Sequence, residues 1–275
     1  MIVFPNCKIN LGLHILQKRN DGYHNLETVF YPLPLKDIVE IVPSKNSMNF
    51  SCSGLLVNGE HENNLCLKAY QLLKKDFPQL PSVQIHLHKT IPIGAGLGGG
   101  SSDGAFTLTL LNQKFNLELS TEKLINYALQ LGSDCPFFII NEPCVATGRG
   151  ELLEEIKLDL SQFRFLIISP GIHIDTAWAF SKLNLPGRDN SKSNLKEIIH
   201  QPVETWKKDL VNDFEAIAFH QFPEIKKIKE KLYQAGAVYS SMSGSGSSVY
   251  GIFEKDNKIN LPLPEKYFIK EIHIQ

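Results

Sequence analysis

Six glycines (Gly94, Gly96, Gly98, Gly99, Gly100 and Gly104) fall within eleven residues of a 275-residue chain that holds 19 in all. Such crowding points to a backbone that must approach something closely or take positive φ, which glycine does without steric cost. The run follows a strand-like stretch and leads into Ser101-Ser102-Asp103, where a helix is expected to begin. Backbone N–H groups converging at a helix N-terminus, helped by the helix dipole, make an anion site. Phosphate is the natural occupant. The loop is not a Walker A sequence, and Gly94-x-Gly96-x-x-Gly99 is a poor dinucleotide fingerprint. It follows Pro92 deep in the chain, and no acidic ribose partner stands about 20 residues further on. A flexible hairpin is the alternative, and the two serines directly after the glycines favour phosphate.

Other residues offer chemistry with an ordinary reading beside it. Lys8 and Asn10 share one face of an alternating stretch, where a lysine is usually a solvated surface charge. Asp134 precedes Cys135-Pro136 and reads equally as a helix N-cap or as a base. Tyr23 and His24 follow Asn20-Asp21-Gly22, a turn signal. The segment Met242–Ser248 is a serine-glycine turn with nothing unusual on its own. His86 and His88 alternate on an expected strand and read as one sheet face rather than as metal ligands. The five cysteines, odd in number and without a C-x-x-C pair, indicate neither a disulfide framework nor a zinc site, and fit a reducing cytoplasm.

The elements that must position these groups are strands followed by helices. Cys7–Ile15 alternates, with Cys7, Ile9, Leu11, Leu13 and Ile15 on the apolar face and Lys8, Asn10, Gly12 and His14 on the other. Strands are also expected over Val83–His88, Phe165–Ser169, Val238–Met242, Ser248–Glu254 and Tyr267–Ile274. Helices are expected over Asn64–Lys75, Ser101–Asn112, Thr121–Leu131, Val203–Phe219 and Pro223–Gln234. Gly132 would end the third in a left-handed cap, and Gly236 would close the last. Pro186–Asn194 reads as a surface loop. The pattern predicts two α+β domains, residues 1–155 and 156–275.

Composition excludes other classes. The formal net charge of −1 gives no electrostatic grip on nucleic acid. No apolar run of about 18 residues suggests a membrane helix, and the first residues lack the basic start of a signal peptide. A cytoplasmic protein is expected.

Taken together, Pro5-Asn6-Cys7-Lys8-Ile9-Asn10-Leu11, then Pro92-Ile93-Gly94-Ala95-Gly96-Leu97-Gly98-Gly99-Gly100-Ser101-Ser102, then Met242–Ser248 resemble the three motifs of the GHMP kinase superfamily, in order. The resemblance implies a two-domain α+β fold, with a nucleotide-binding N-terminal domain, a ferredoxin-like C-terminal domain and the active site between them. It extends to the branch that phosphorylates the 2-hydroxyl of a cytidine-diphosphate-bearing polyol in the non-mevalonate route to isoprenoid precursors. The residues carrying it are Asp21-Gly22-Tyr23-His24-x-Leu26-x-Thr28, Asn63-Asn64-Leu65, Gly132-Ser133-Asp134-Cys135-Pro136-Phe137-Phe138 and Ala146-Thr147-Gly148-Arg149-Gly150-Glu151. Gly104 departs from it, since alanine is usual there, and the glycine loosens the first helical turn by up to about 1 kcal/mol.

The resemblance implies Asp134 as acceptor of the substrate proton and Lys8 beside it, stabilising the transferring phosphoryl group. Pro92 through Ser102 would hold the phosphates of ATP, with Asn64 and Lys89 at the adenine and Mg²⁺ on Ser101 or Ser102. Asn64 reads equally as a plain N-cap. Asn10, Tyr23, His24, Thr176, Phe180 and Gly244 would contact the acceptor, Tyr23 and His24 reading its cytosine. Phe180, or its rival Trp178, would supply a second stacking wall; either could instead be core. A small-molecule acceptor, no nucleic acid, no membrane, and a monomer or weak homodimer are expected. Rivals are a mevalonate- or homoserine-type kinase, a decarboxylase on the same fold, and a catalytically silent nucleotide-binding homologue.

Overall fold

The computed structural model describes residues 1–55, 63–183 and 195–274; the loop expected over Pro186–Asn194 lies outside them. Contacts between Cα atoms gather the chain into two compact units. One holds Met1–Cys7, Leu35–Ile93 and Gly98–Glu142; the other holds Lys8–Pro34, Gly94–Leu97 and Pro143–Gln275. The units interleave along the chain, unlike the contiguous halves expected from sequence.

The first unit has a four-stranded sheet in the order β1 (Ile2–Val3), β4 (Ile38–Pro43), β6 (Val83–Lys89), β5 (Asn49–Gly54). β5 runs parallel to β6 and the other pairs are antiparallel. Its helices are α1 (Leu65–Asp76), α2 (Gly99–Phe115), α3 (Thr121–Leu131) and α4 (Cys135–Ile140). α2 packs against the other three. It begins two residues earlier than expected, at Gly99, because Gly98 takes φ 70° at the N-cap and turns the chain directly into the helix. Gly132 ends α3 at φ 166°, an extended conformation open to any residue, so the left-handed cap expected there is not formed.

Gly104 has a packing reason. A Cβ on it would lie 2.9 Å from the Leu65 Cβ, so the glycine lets α1 and α2 come close at the start of both helices. That approach offsets the loss of helix propensity.

The second unit has two sheets. One runs β2 (Asn6–Lys18), β3 (His24–Lys36), β7 (Cys144–Thr147), β8 (Leu152–Glu155); the first two residues of β2 and the last two of β3 are counted with the first unit. The other is antiparallel, in the order β10 (Tyr239–Met242), β11 (Val249–Glu254), β9 (Phe163–Ser169), β12 (Phe268–His273). This is the strand order of a ferredoxin-like sheet, although the segment between β11 and β12 forms no helix. Helices α5 (Thr176–Ser181), α6 (Leu195–Ile199), α7 (Trp206–Asp209), α8 (Phe214–Gln221) and α9 (Pro223–Gln234) complete it. Leu13, Ile15, Ile168, Phe214, Ile228, Leu232 and Phe253 share its core.

The single helix expected over Val203–Phe219 is broken. A 3₁₀ turn at Val203–Thr205 and α7 stop at Leu210, and α8 begins at Phe214. Between them the chain runs beside β2: Leu13 donates its N–H to Val211 O, and Asp213 donates to Leu13 O, both at 2.9 Å. The Asn212 amide donates to the carbonyls of Met242 and Gly244, each at 2.8 Å, while its oxygen accepts the Phe214 N–H. These tertiary bonds replace the helical ladder over residues 210–213. Helical periodicity could not reveal them.

Candidate active site

β2 alternates as expected, yet its polar face is also buried: Lys8 is 3% exposed and Asn10 2%. The surface reading of Lys8 therefore fails. Its ammonium donates to Asn10 Oδ1 at 2.6 Å and lies 4.6 Å from the centre of the Phe30 ring. The Asn10 amide donates to Thr28 Oγ1 at 2.9 Å, and that hydroxyl donates to Gly12 O at 2.6 Å. This chain fixes which end of the Asn10 amide faces the lysine.

Two glycine motifs join at the same place. Ser243 Oγ accepts the Asn10 N–H at 3.2 Å and donates to Gly96 O at 2.7 Å. Lys8 N–H donates to Leu97 O, and Ser248 N–H donates to Ala95 O. Gly96 has φ +80° and sits so close that a Cβ would fall 2.0 Å from Ser243 O. Gly244, at φ +57°, also faces Asn10: a Cβ on it would lie 3.3 Å from the Asn10 Oδ1. Three segments that are far apart in sequence thus form one hydrogen-bonded seam around the Lys8 ammonium.

Next come the aromatic residues. His24 stacks on Phe180, with ring centroids 5.1 Å apart and planes inclined by 14°. Phe180 meets Phe214 edge-on at 4.9 Å, whereas Trp178 packs edge-on against Phe222. Of the two rivals, the structure brings Phe180 and not Trp178 to the Tyr23-His24 segment. Burial, aided by the Lys18 charge, pulls the His24 imidazole below its usual pKa and favours its neutral form. Tyr23 is 56% exposed and meets the Arg149 guanidinium, 5.0 Å from the ring centre. Thr176 pairs its hydroxyl with Ser245 at 3.0 Å, which ties α5 to the late turn.

In the other unit, the start of α2 carries the groups expected at phosphate. A Cβ on Gly100 would meet nothing within 4 Å, so the space beside the first turn is open. The two serines differ. Ser101 Oγ pairs with the Cys135 thiol, while Ser102 Oγ is fully buried and has no hydrogen-bond partner among the described residues. A buried orphan hydroxyl is costly, so one in the first turn of α2, where phosphate is expected, is compatible with a ligand there. Asp134 stands at the N-cap of α4 in αR backbone and makes no side-chain cap bond, so the capping alternative does not hold.

The adenine candidates have structural partners. Asn64 Oδ1 accepts the Cys66 N–H at 2.9 Å and caps α1. The Lys89 ammonium, 3% exposed, donates to Asp37 and, at 2.7 Å, to Asp103. Asp37 also accepts the N–H groups of Thr90 and Ile91, holding the chain that leads into Pro92 and Ile93. Burial pulls Lys89 down, but attraction to Asp103 and Asp37 outweighs it and raises its pKa. Burial pushes the Asp103 carboxyl up to about 8; Lys89 opposes the shift and Asp37 adds to it.

Thr28, Asn212, Asp37 and Ser243 build this geometry without standing out individually in the sequence. Thr28 and Ser243 lie inside the Asp21–Thr28 and Met242–Ser248 motifs, while Asn212 and Asp37 carry no local signal. His86 bonds to Ser51 and Ser53, and among the described residues no three His, Cys, Asp or Glu side chains converge as a metal site.

Comparison with known proteins defines the class. Residues 64–142 match the GHMP kinases N terminal domain and residues 192–261 the GHMP kinases C terminal family. A mevalonate kinase structure from Methanococcus jannaschii, 15% identical, shares the fold at a TM-score of 0.66, covering 100% of this chain and 98% of that one. The 4-diphosphocytidyl-2-C-methyl-D-erythritol kinase of Bacteroides fragilis is 53% identical over 262 residues, 94% of each chain. That of Azobacteroides pseudotrichonymphae is 53% identical over 93% of this chain and 94% of its own. A crystal structure of 4-(cytidine 5'-diphospho)-2C-methyl-D-erythritol kinase is 32% identical, with a TM-score of 0.78 and coverage of 92% and 90%. The chain belongs to the GHMP kinases, in the family of the 4-diphosphocytidyl-2-C-methyl-D-erythritol kinases.

Proposed function

We propose that the chain transfers the γ-phosphoryl group of ATP to the 2-hydroxyl of 4-diphosphocytidyl-2-C-methyl-D-erythritol, giving the 2-phosphate and ADP in the non-mevalonate route to isoprenoid precursors. The observation that carries this reading is the seam of Lys8, Asn10, Ser243 and Gly96, which assembles the three kinase motifs. The relatives' names direct the choice of acceptor. Phosphoryl transfer needs positioning, charge neutralisation and a hydroxyl ready to attack. The open first turn of α2 cradles the phosphates of ATP. Lys8, buried and held by Asn10, presents a fixed cation to the transferring group. Asp134 takes the proton of the acceptor hydroxyl as the new O–P bond forms and ADP departs. Tyr23 and His24 read the cytosine, with Phe180 as the second wall. Magnesium would neutralise phosphate charge when bound, held by Ser101 or Ser102, and the unpartnered Ser102 hydroxyl supports the second. The chain works in the cytoplasm on this small molecule, as a monomer or weak homodimer, without nucleic acid or membrane.

ATP consumption assayed in parallel with 4-diphosphocytidyl-methylerythritol, mevalonate and homoserine tests the reading. Turnover on the first alone is expected, and turnover on either of the others instead would sink it. Asp134→Asn and Lys8→Ala should each lose turnover by orders of magnitude and still bind ATP. Near-normal turnover in either variant removes that residue from the mechanism.

A further inference from the structure

The Thr147–Glu151 turn is left unexplained by phosphoryl transfer. Gly148 takes φ +70° and Gly150 φ +105°, which folds the turn back so that Gly150 N–H reaches Thr147 O. Glu151 accepts the Arg149 N–H at 2.5 Å and its Nε at 3.4 Å. Leu26 N–H donates to Gly148 O at 2.8 Å and ties the turn to β3. All of this presents one group, the Arg149 guanidinium, to the Tyr23 ring.

Tyr23 needs such support. More than half exposed, it stands on a turn whose backbone is well fixed: Asp21 accepts its N–H at 3.1 Å, and its carbonyl accepts the Arg19 N–H at 2.7 Å. Arg19 in turn bonds Asp21 through Nε and bonds Asn25. These contacts fix the Cα and leave the ring free to rotate. The guanidinium over one face limits that rotation and leaves the opposite face for a flat ligand.

We infer that Arg149 is a positioning residue, the back wall that holds Tyr23 ready to stack on the nucleobase of the acceptor. The inference rests on the proposed reading of Tyr23 as part of the base site. A cation on one face of a ring is attracted by its quadrupole, and a ring held in its bound orientation loses less entropy when a base stacks on it. Arginine suits this better than lysine because its planar group stacks on an aromatic face.

Binding of CDP, measured by calorimetry with the nucleotide site saturated by ADP, tests this through a double-mutant cycle. Tyr23→Ala should weaken CDP about tenfold or more, the scale of base–aromatic stacking. Arg149→Ala should weaken it about two- to fivefold, the range of an exposed cation–π pair, with Arg149→Lys recovering part of the loss. In turnover, Arg149→Ala should raise the acceptor KM and leave kcat and the ATP KM unchanged. The double variant should bind CDP no more weakly than Tyr23→Ala alone. A loss that adds fully to that of Tyr23→Ala would show Arg149 acting on the diphosphate instead and overturn the inference. So would an unchanged affinity in Arg149→Ala alongside a weakened Tyr23→Ala, with the base-site reading intact. Unchanged affinity in Tyr23→Ala overturns the base-site reading, and this inference with it.

Discussion

The Ser243 hydroxyl donates to the carbonyl of Gly96 at 2.7 Å, and no atom larger than hydrogen fits between the two backbones there. Gly96 also lies in the left-handed region at φ +80°. Gly96→Ala therefore meets two penalties: backbone strain of about 1–3 kcal/mol, and a Cβ 2.0 Å from Ser243 O. The seam must open, so the variant should lose thermal stability and turnover together. Gly100→Ala is the contrast, since a Cβ there meets nothing and the helix gains up to about 1 kcal/mol of propensity. Its Tm should hold or rise, and its KM for ATP should climb if that open space holds the phosphates as proposed. Equal Tm values for the Gly96→Ala variant and the wild type would contradict the account.

Much of this was legible in the sequence. The alternation of β2 placed Lys8 and Asn10 on one face, and the glycine count marked the loop. Burial of that face was not legible, because a lysine on a strand looks the same whether solvent or Asn10 meets it. Asn212 shows a second limit. A helical stretch with no proline gives no sign that residues 210–213 will leave the helix to bond β2 and the late turn. Local patterns report what a segment prefers; long-range hydrogen bonds decide where it yields.

Ser102 and Ser101 should separate cleanly. The Ser102 hydroxyl is buried without a partner, so Ser102→Ala removes an unpaid desolvation and should leave Tm unchanged or slightly higher. If that hydroxyl serves MgATP, kcat/KM should fall roughly ten- to hundredfold, the scale of one hydrogen bond to a charged group. Ser101→Ala loses only its pairing with the Cys135 thiol and should change kcat/KM less. The reverse order, read from magnesium-dependent kinetics of the two variants, would transfer the assignment to Ser101.

Gly104→Ala sets two effects against each other. Alanine improves an exposed helix position by up to about 1 kcal/mol, but here the new methyl would stand 2.9 Å from the Leu65 Cβ. A Cβ cannot swing aside as the end of a long side chain can, so α1 or α2 must shift. Overpacking of this kind costs about 1–3 kcal/mol, which outweighs the propensity gain. The variant should unfold at lower denaturant than the wild type, and a gain in stability would show that the helices separate at little cost.

Asp103 gives the pH prediction. Its carboxyl is raised to about 8 in the folded protein by burial, against 3.8 when unfolded. Between these values the native state holds a proton that the unfolded chain has released, so unfolding stability falls as pH rises. The stabilising contribution is complete below about pH 4 and lost by about pH 8. Asp103→Asn cannot titrate, so it should lose this slope while still accepting from Lys89 through its amide oxygen. Thermal unfolding from pH 5 to pH 8.5 should show the Tm of the wild type falling relative to that of Asp103→Asn, by several degrees across the window. Parallel curves would mean that Lys89 keeps Asp103 ionised throughout, with both buried carboxylates charged around a single ammonium.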